Sequence, residues 1–301
     1  MKEIQFRRTE LEDRALIHSY FLKFPSQSCE RTFANSLLWS RHYPVKYAVV
    51  ANALVFCWER ENFLAFAYPV GMPEDVKNAL EILKGYAEER KFPFVLYHVT
   101  KEQFAQLEEW YPGRFEIEYD RDVADYIYET EKLATLSGKK LHSKRNHINK
   151  FKELHPTWTY EKMSAENIEE CFQMALKWRN ANGCDTDDEK NAEMCVTLNA
   201  LRLFDELELA GGVLKVDGQV IAFTIGEQVT PDTFVVHIEK AFADVQGAYP
   251  MINQQFVSKE CMDYRYINRE DDTGSEGLRK AKLSYRPAYL VEKGIVKEKE
   301  Q

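Results

Sequence analysis

Residues 212–240, GVLKVDGQVIAFTIGEQVTPDTFVVHIEK, decide the fold. They hold three runs rich in β-branched and aromatic residues, 212–216, 220–229 and 233–240, separated by short polar breaks. Asp217-Gly218 is a pair that a two-residue hairpin favours, because both turn positions need positive φ. The spacing predicts an antiparallel meander. Upstream, 165–182 and 188–209 read as helices. Downstream come a helix over 249–262, a strand over 264–268 and a helix over 277–286, which Pro287 stops.

The first half of the chain repeats this order. Helices are expected over 11–22 and 32–41, then strand-like runs over 46–50, 53–59 and 62–68. A helix over 73–90 follows, with Val76, Leu80, Leu83 and Ala87 at helical spacing, then a strand over 94–98, a helix over 101–110 and strands over 115–119 and 125–128. The repeat predicts an α/β (α+β) protein of two similar domains, each a mixed, mainly antiparallel sheet flanked by helices. The divisions fall at 1–135, at a basic connecting helix over 136–158, and at 159–301.

At 301 residues, 45% hydrophobic and 13% aromatic, the chain has room for two cores. There is no apolar run of membrane-spanning length, and the first residues, MKEIQFRRTELEDR, lack an apolar targeting core, so a cytoplasmic protein is expected. Six cysteines without a CxxC pair read as reduced thiols and not as metal ligands. Phosphate-loop, dinucleotide, HExxH and GxSxG motifs are missing, and His142 and His147 lie five residues apart, off the shared helical face that metal ligands need. Trp39, Tyr43, Tyr47 and Trp58 read as core aromatics.

The formal net charge is -9, yet residues 138–152, GKKLHSKRNHINKFK, carry six Lys/Arg and no acid. On a helical wheel Leu141, Ile148 and Phe151 form an apolar face with Lys144 inside it and Arg145 and Lys152 at its edge. Residues 278–286, LRKAKLSYR, carry four more cations, with Leu278, Ala281 and Tyr285 on one face and Lys282 beside them. The glycine-bearing loop 271–277 before them lets backbone amides approach a ligand at a helix N-terminus. The expected anion site comprises Lys144, Arg145, His147, Asn149, Arg279, Lys280, Lys282, Tyr285 and Arg286. Strand alternation puts His237 and Glu239 on one face, where either is a candidate proton acceptor.

Three segments, GKKLHSKRNHINKF, HIEKAFADVQGAYPMINQQF and DDTGSEGLRKAKLSYRP, resemble the family related to the C-terminal domain of phosphatidylglycerol lysyltransferase. The resemblance implies a tandem GNAT-like acyltransferase fold, shared with the Fem-type peptidoglycan aminoacyltransferases. It implies transfer of an aminoacyl group from aminoacyl-tRNA, or another anionic acyl donor, to a hydroxyl or amine of an anionic lipid such as phosphatidylglycerol or of a peptide, without a resident cofactor. Two alternatives stand beside it. One is an acyl-CoA-dependent N-acyltransferase, whose phosphate turn would be 243–248, with one glycine, an acid and no Arg. The other is a non-catalytic anion-binding module. The chain lacks the transmembrane part of the lysyltransferases, and 292–301 reads as a mixed-charge solvated end, so any membrane position is expected to be peripheral.

Overall fold

Asp217 and Gly218 take φ values of 50° and 74° and join two strands so that Val216 stands opposite Gln219. Both signs are those a two-residue hairpin requires. The computed structural model describes residues 4–299. Its elements in chain order are α1 (Arg14–Lys23), α2 (Phe33–Trp39), β1 (Val45–Val50), β2 (Ala53–Arg60), β3 (Phe63–Ala67), α3 (Pro73–Glu89), β4 (Val95–Thr100), α4 (Lys101–Trp110), β5 (Phe115–Glu129), α5 (Thr130–Thr135) and α6 (His142–Leu154). Then follow β6 (Thr159–Lys162), α7 (Ile168–Ala181), α8 (Asp188–Arg202), β7 (Ala210–Val216), β8 (Gln219–Thr230), β9 (Thr233–Ala241), α9 (Ala248–Glu260), β10 (Tyr266–Asn268), α10 (Glu276–Leu283) and β11 (Tyr289–Glu298).

All eleven strands form one sheet in the order β1-β2-β3-β4-β11-β5-β10-β9-β8-β7-β6. The meander β1-β2-β3 is antiparallel and β4 then runs parallel to β3; the meander β7-β8-β9 is antiparallel and β10 then runs parallel to β9. The repeat expected from sequence is therefore present as topology, and the architecture is the tandem GNAT-like one: a mixed, mainly antiparallel sheet flanked by helices.

Strand alternation distributes the apolar side chains over both faces. On one face, called the front here, Phe21 and Phe33 of the first half pack in the same cluster as Met174, Phe223 and Ile238 of the second. On the back, Phe66, Leu80 and Leu83 form one core, and Tyr128, Phe151, Phe234 and Phe256 form another. The front core therefore joins the halves, whereas each half has its own back core.

The chain end departs from expectation. Residues 289–298 are not a solvated tail but β11, inserted between β4 and β5; residues 300 and 301 lie outside the described part. Lys293 is fully buried at the middle of the sheet. Its Nζ donates to Asp125 Oδ1 at 2.9 Å and to Glu30 Oε1 and Oε2 at 2.7 and 3.0 Å. A strand whose one central lysine satisfies two carboxylates breaks the apolar pattern by which buried strands are read. The runs expected over 115–119 and 125–128 are one continuous strand, β5. The helix expected over 188–209 ends at Arg202.

Candidate functional site

β9 and β10 pair only through Thr233–Val235 and Tyr266–Asn268; β9 continues to Ala241 while the chain leaves β10 at Asn268. The sheet therefore splays into a wedge. At its side Ile225 stands opposite Ile238 and Gly226 opposite Val236, which leaves His237 as the extra residue of a β-bulge. Regular alternation would put residues 236 and 238 on one face, but Val236 packs in the back core and Ile238 in the front core. The bulge reverses alternation, so the expectation that His237 and Glu239 share a face is corrected. His237 meets Glu227, the cross-strand neighbour of front-facing Val235, and Glu239 meets Asn253 of the back helix α9.

On the back, Arg269 Nη2 donates to Glu239 Oε1 at 2.9 Å, and Asn253 Nδ2 donates to Glu239 Oε2 at 2.9 Å. Arg269 Nη1 is sealed from solvent and makes no well-formed hydrogen bond among the described residues, and the Tyr285 hydroxyl is the polar group that interacts with the guanidinium. Its guanidinium carbon stands 4.8 Å from the Tyr285 ring centroid, and Lys144 Nζ lies 4.0 Å from the same centroid. The Lys144 amine is pushed down by burial and by Arg269. Lys144 makes no ion pair with a described residue. It reaches this position because Leu141, Ile148 and Phe151 are buried and turn its side of α6 inward. Gly247 (φ 85°) permits the packing, since a Cβ there would stand 2.6 Å from His147 O and 3.0 Å from Phe151 Cβ.

The front lip is acidic. His237 Nδ1 lies 2.7 Å from Glu270 Oε1, and Nε2 lies 3.0 Å from Glu227 Oε1. Burial opposes the imidazolium, but these two hydrogen bonds raise its pKa to about 10. With both ring nitrogens engaged, His237 has no lone pair with which to accept a proton in this arrangement. Burial raises the Asp271 carboxyl to about 7 against the pull of Lys293. Among the described residues its Oδ1 accepts only the Thr273 amide, at 3.3 Å.

The remaining sequence-derived candidates divide sharply. Tyr285 is buried. Lys282 is buried too, and its Nζ donates to the carbonyl oxygens of Arg269 (2.6 Å) and Asp271, which ties the wedge loop to α10. Arg279 donates to both Asp272 oxygens at 2.9 and 2.7 Å and to Asp122 Oδ1 at 2.6 Å. Arg145 donates to the carbonyls of Leu136 and Gly138. These three cations are thus spent on the frame. His147, Asn149, Lys280 and Arg286 are exposed.

The wheel drawn for α10 is reversed in part, because Leu278 and Ala281 are exposed while Lys282 points inward, drawn by the two carbonyls. Of the four aromatics read as core, Tyr47 is buried but Tyr43 is 45% exposed. Arg269, Glu227 and Glu270 lie outside the residues expected from sequence, and Asp271 entered only as the first residue of the loop 271–277. The available signal was Arg-Glu-Asp-Asp directly after a short strand.

Cys29, Glu30 and Asp125 bring three ligand-type atoms within 4.8 Å of one another, but the Lys293 ammonium already bonds to both carboxylates there. No helix among the described residues is long and apolar enough to cross a membrane.

A conserved protein of unknown function from Bacteroides thetaiotaomicron superposes with a TM-score of 0.92 at 39% identity, over 99% of this chain and 100% of that one. L-PGS from Bacillus licheniformis shares the fold, with a TM-score of 0.66 at 15% identity over 100% and 95% of the two chains. An uncharacterised protein of Mycoplasmoides gallisepticum is 24% identical over 234 residues, 76% of this chain and 73% of its own. Residues 22–296 match the model of the family described as phosphatidylglycerol lysyltransferase, C-terminal. The chain belongs to that family.

Proposed function

We propose that this protein is an aminoacyltransferase that moves an aminoacyl group from aminoacyl-tRNA to a hydroxyl or amine acceptor, with a phosphatidylglycerol headgroup or a peptide amine as the acceptor class. Family membership supports a transferase. The observation that carries the substrate class is the opposed charge across the wedge. On the back, among the described residues, Lys144 has no carboxylate partner and Arg269 Nη1 makes no well-formed hydrogen bond; on the front, Glu227, Glu270 and Asp271 outnumber the charge of His237. An unpaired buried donor favours an anionic ligand strongly. An aminoacyl ester at the end of a nucleic acid has phosphates on one side of the reacting carbonyl and an ammonium group on the other.

Under this reading Lys144 and Arg269 meet phosphate and the developing oxyanion, and Tyr285 and Glu239 hold the arginine. Exposed Lys280, Arg286, His147 and Asn149 supply outer contacts to the donor. His237 positions Glu227 and Glu270, and Asp271 takes the proton. The acceptor O–H or N–H gives its proton to Asp271 as its lone pair attacks the ester carbonyl. The carbonyl–ribose C–O bond then breaks, and the ribose oxygen recovers that proton.

The test is filter binding at low salt with charged tRNA, followed by transfer of the labelled aminoacyl group to phosphatidylglycerol vesicles or to an acceptor peptide. Binding with transfer supports the reading. Absence of tRNA affinity sinks it, and binding without turnover on any acceptor marks a non-catalytic module.

A further inference from the structure

Arg31 ends a short 3-10 turn, Cys29–Arg31, between α1 and α2. A guanidinium carries five N–H donors in a fixed fork. Here it makes no hydrogen bond or ion pair with any described residue, and its Nη1 is sealed from solvent. The neighbouring carboxylate, Glu30, is engaged by Lys293 and by the Ser28 hydroxyl, and His98 Nδ1 lies 3.1 Å from it without forming a hydrogen bond. Around the guanidinium stand the Phe21 ring, 5.8 Å from its carbon, and Tyr68, whose hydroxyl donates to Gln106 at 2.6 Å. Burial lowers the Arg31 pKa to about 10, with Glu30 and Tyr68 opposing.

The location matters as much as the missing partner. β3 and β4 pair in parallel only at Phe66/Leu96 and Ala67/Tyr97, so they diverge as β9 and β10 do. Tyr68 and His98 are the residues that follow the last pair. Arg31, beside Tyr68 and beside the Glu30 that meets His98, therefore stands at the first-half counterpart of the wedge already described. In each wedge an arginine presents a sealed Nη1 that makes no well-formed hydrogen bond to a described residue: Arg31 in one, Arg269 in the other.

We propose that the β3/β4 wedge is a second anion site, in which the Arg31 guanidinium receives a carboxylate or phosphate group through its paired N–H donors. The fork matches two oxygens of either group, whereas a point charge would not. The site does not depend on the transfer reaction.

Thermal melts of the full chain across phosphate and acetate concentrations, for wild type, Arg31→Met and Arg31→Lys, test it. In anion-free buffer Arg31→Met is expected to melt above wild type, because a half-buried guanidinium with a sealed, unpartnered Nη1 has been removed. The phosphate-induced rise in Tm is expected to shrink in Arg31→Met, and calorimetry is expected to count one phosphate fewer than in wild type. A matching effect of acetate assigns the site to carboxylates as well; an effect of phosphate alone assigns it to phosphate. Arg31→Lys keeps the charge without the fork and is expected to weaken one site by about tenfold. It serves where the methionine variant does not fold. A lower Tm for folded Arg31→Met in anion-free buffer, or unchanged phosphate stoichiometry and affinity in both variants, overturns the proposal.

Discussion

The Lys144 ammonium stands 4.0 Å from the centre of the Tyr285 ring. This contact joins the basic segment that links the two halves to the basic segment before β11, residues 141 positions apart in the chain. Arg269 approaches the same ring at 4.8 Å. Three groups from three parts of the sequence thus converge without a carboxylate for the lysine. Replacing Lys144 with Gln is expected to weaken polyanion binding by about tenfold and to reduce the salt-dependence slope by about 1, as for one lost phosphate contact. Titrations of tRNA at several salt concentrations measure both. An unchanged slope would falsify the contact.

Gly247→Ala is expected to have a related effect by a different route. Its backbone has φ of 85° and its Cα faces the His147 carbonyl, so a methyl group meets α6 directly. A stability loss of about 1–3 kcal/mol follows from strain and overpacking. As α6 shifts, polyanion affinity should fall as well. Urea denaturation and the same binding titration check the pair of effects.

Lys293 holds β11 at the middle of the sheet through Asp125 and Glu30. Lys293→Met leaves those carboxylates without their buried counter-charge, a change that typically costs about 3–5 kcal/mol. Lys293→Met combined with Asp125→Leu should recover part of that loss, because one orphaned charge is removed. Urea midpoints for wild type, the single variant and the double variant decide it; equal midpoints for wild type and Lys293→Met would show that the buried pairing is energetically idle.

Stability should also fall with rising pH through His237. Its folded pKa is raised to about 10 by Glu227 and Glu270, against about 6.5 in an unfolded chain. The stabilisation is complete below pH 6.5 and is lost as pH rises through 10. His237→Gln should flatten that limb. Denaturant melts from pH 6 to 10 follow it, and an equally steep limb in the variant argues against the assignment.

Asp271, whose carboxyl burial raises to about 7, should govern transfer at neutral pH. The ionised form is the proton acceptor, so the rate should rise through pH 7. Asp271→Asn should remove that limb and lower the rate by about 10²–10⁴ with little change in donor affinity. Single-turnover transfer across pH separates this from a structural effect, since a structural role would leave the profile's shape intact.

Much of the fold was legible because local chemistry specified it. The Asp217-Gly218 hairpin, the apolar spacing of α3 and the two meanders follow from turn chemistry and side-chain period. The inward position of Lys144 was likewise readable from Leu141, Ile148 and Phe151. The failures have a common cause. β11 was hidden because Glu292, Lys293 and Lys297 interrupt its apolar residues, and only a lysine answered by distant carboxylates makes such a strand a central one. The side of the sheet that His237 faces was hidden because a bulge is a property of the pairing between strands. Lys282 turned inward in α10 because two carbonyls from the preceding loop were waiting for it.

By itself the sequence determined the two meanders and their flanking helices, the repeated order of these elements and the presence of two concentrated basic segments, since these depend on interactions within a few residues. Tertiary structure alone decided which cations are free. Arg145, Arg279 and Lys282 met backbone or carboxylate acceptors, whereas Lys144 and Arg269 Nη1 did not. A charge becomes available to a ligand only when every nearer partner has been assigned, and those partners come from strands and loops far away in the chain.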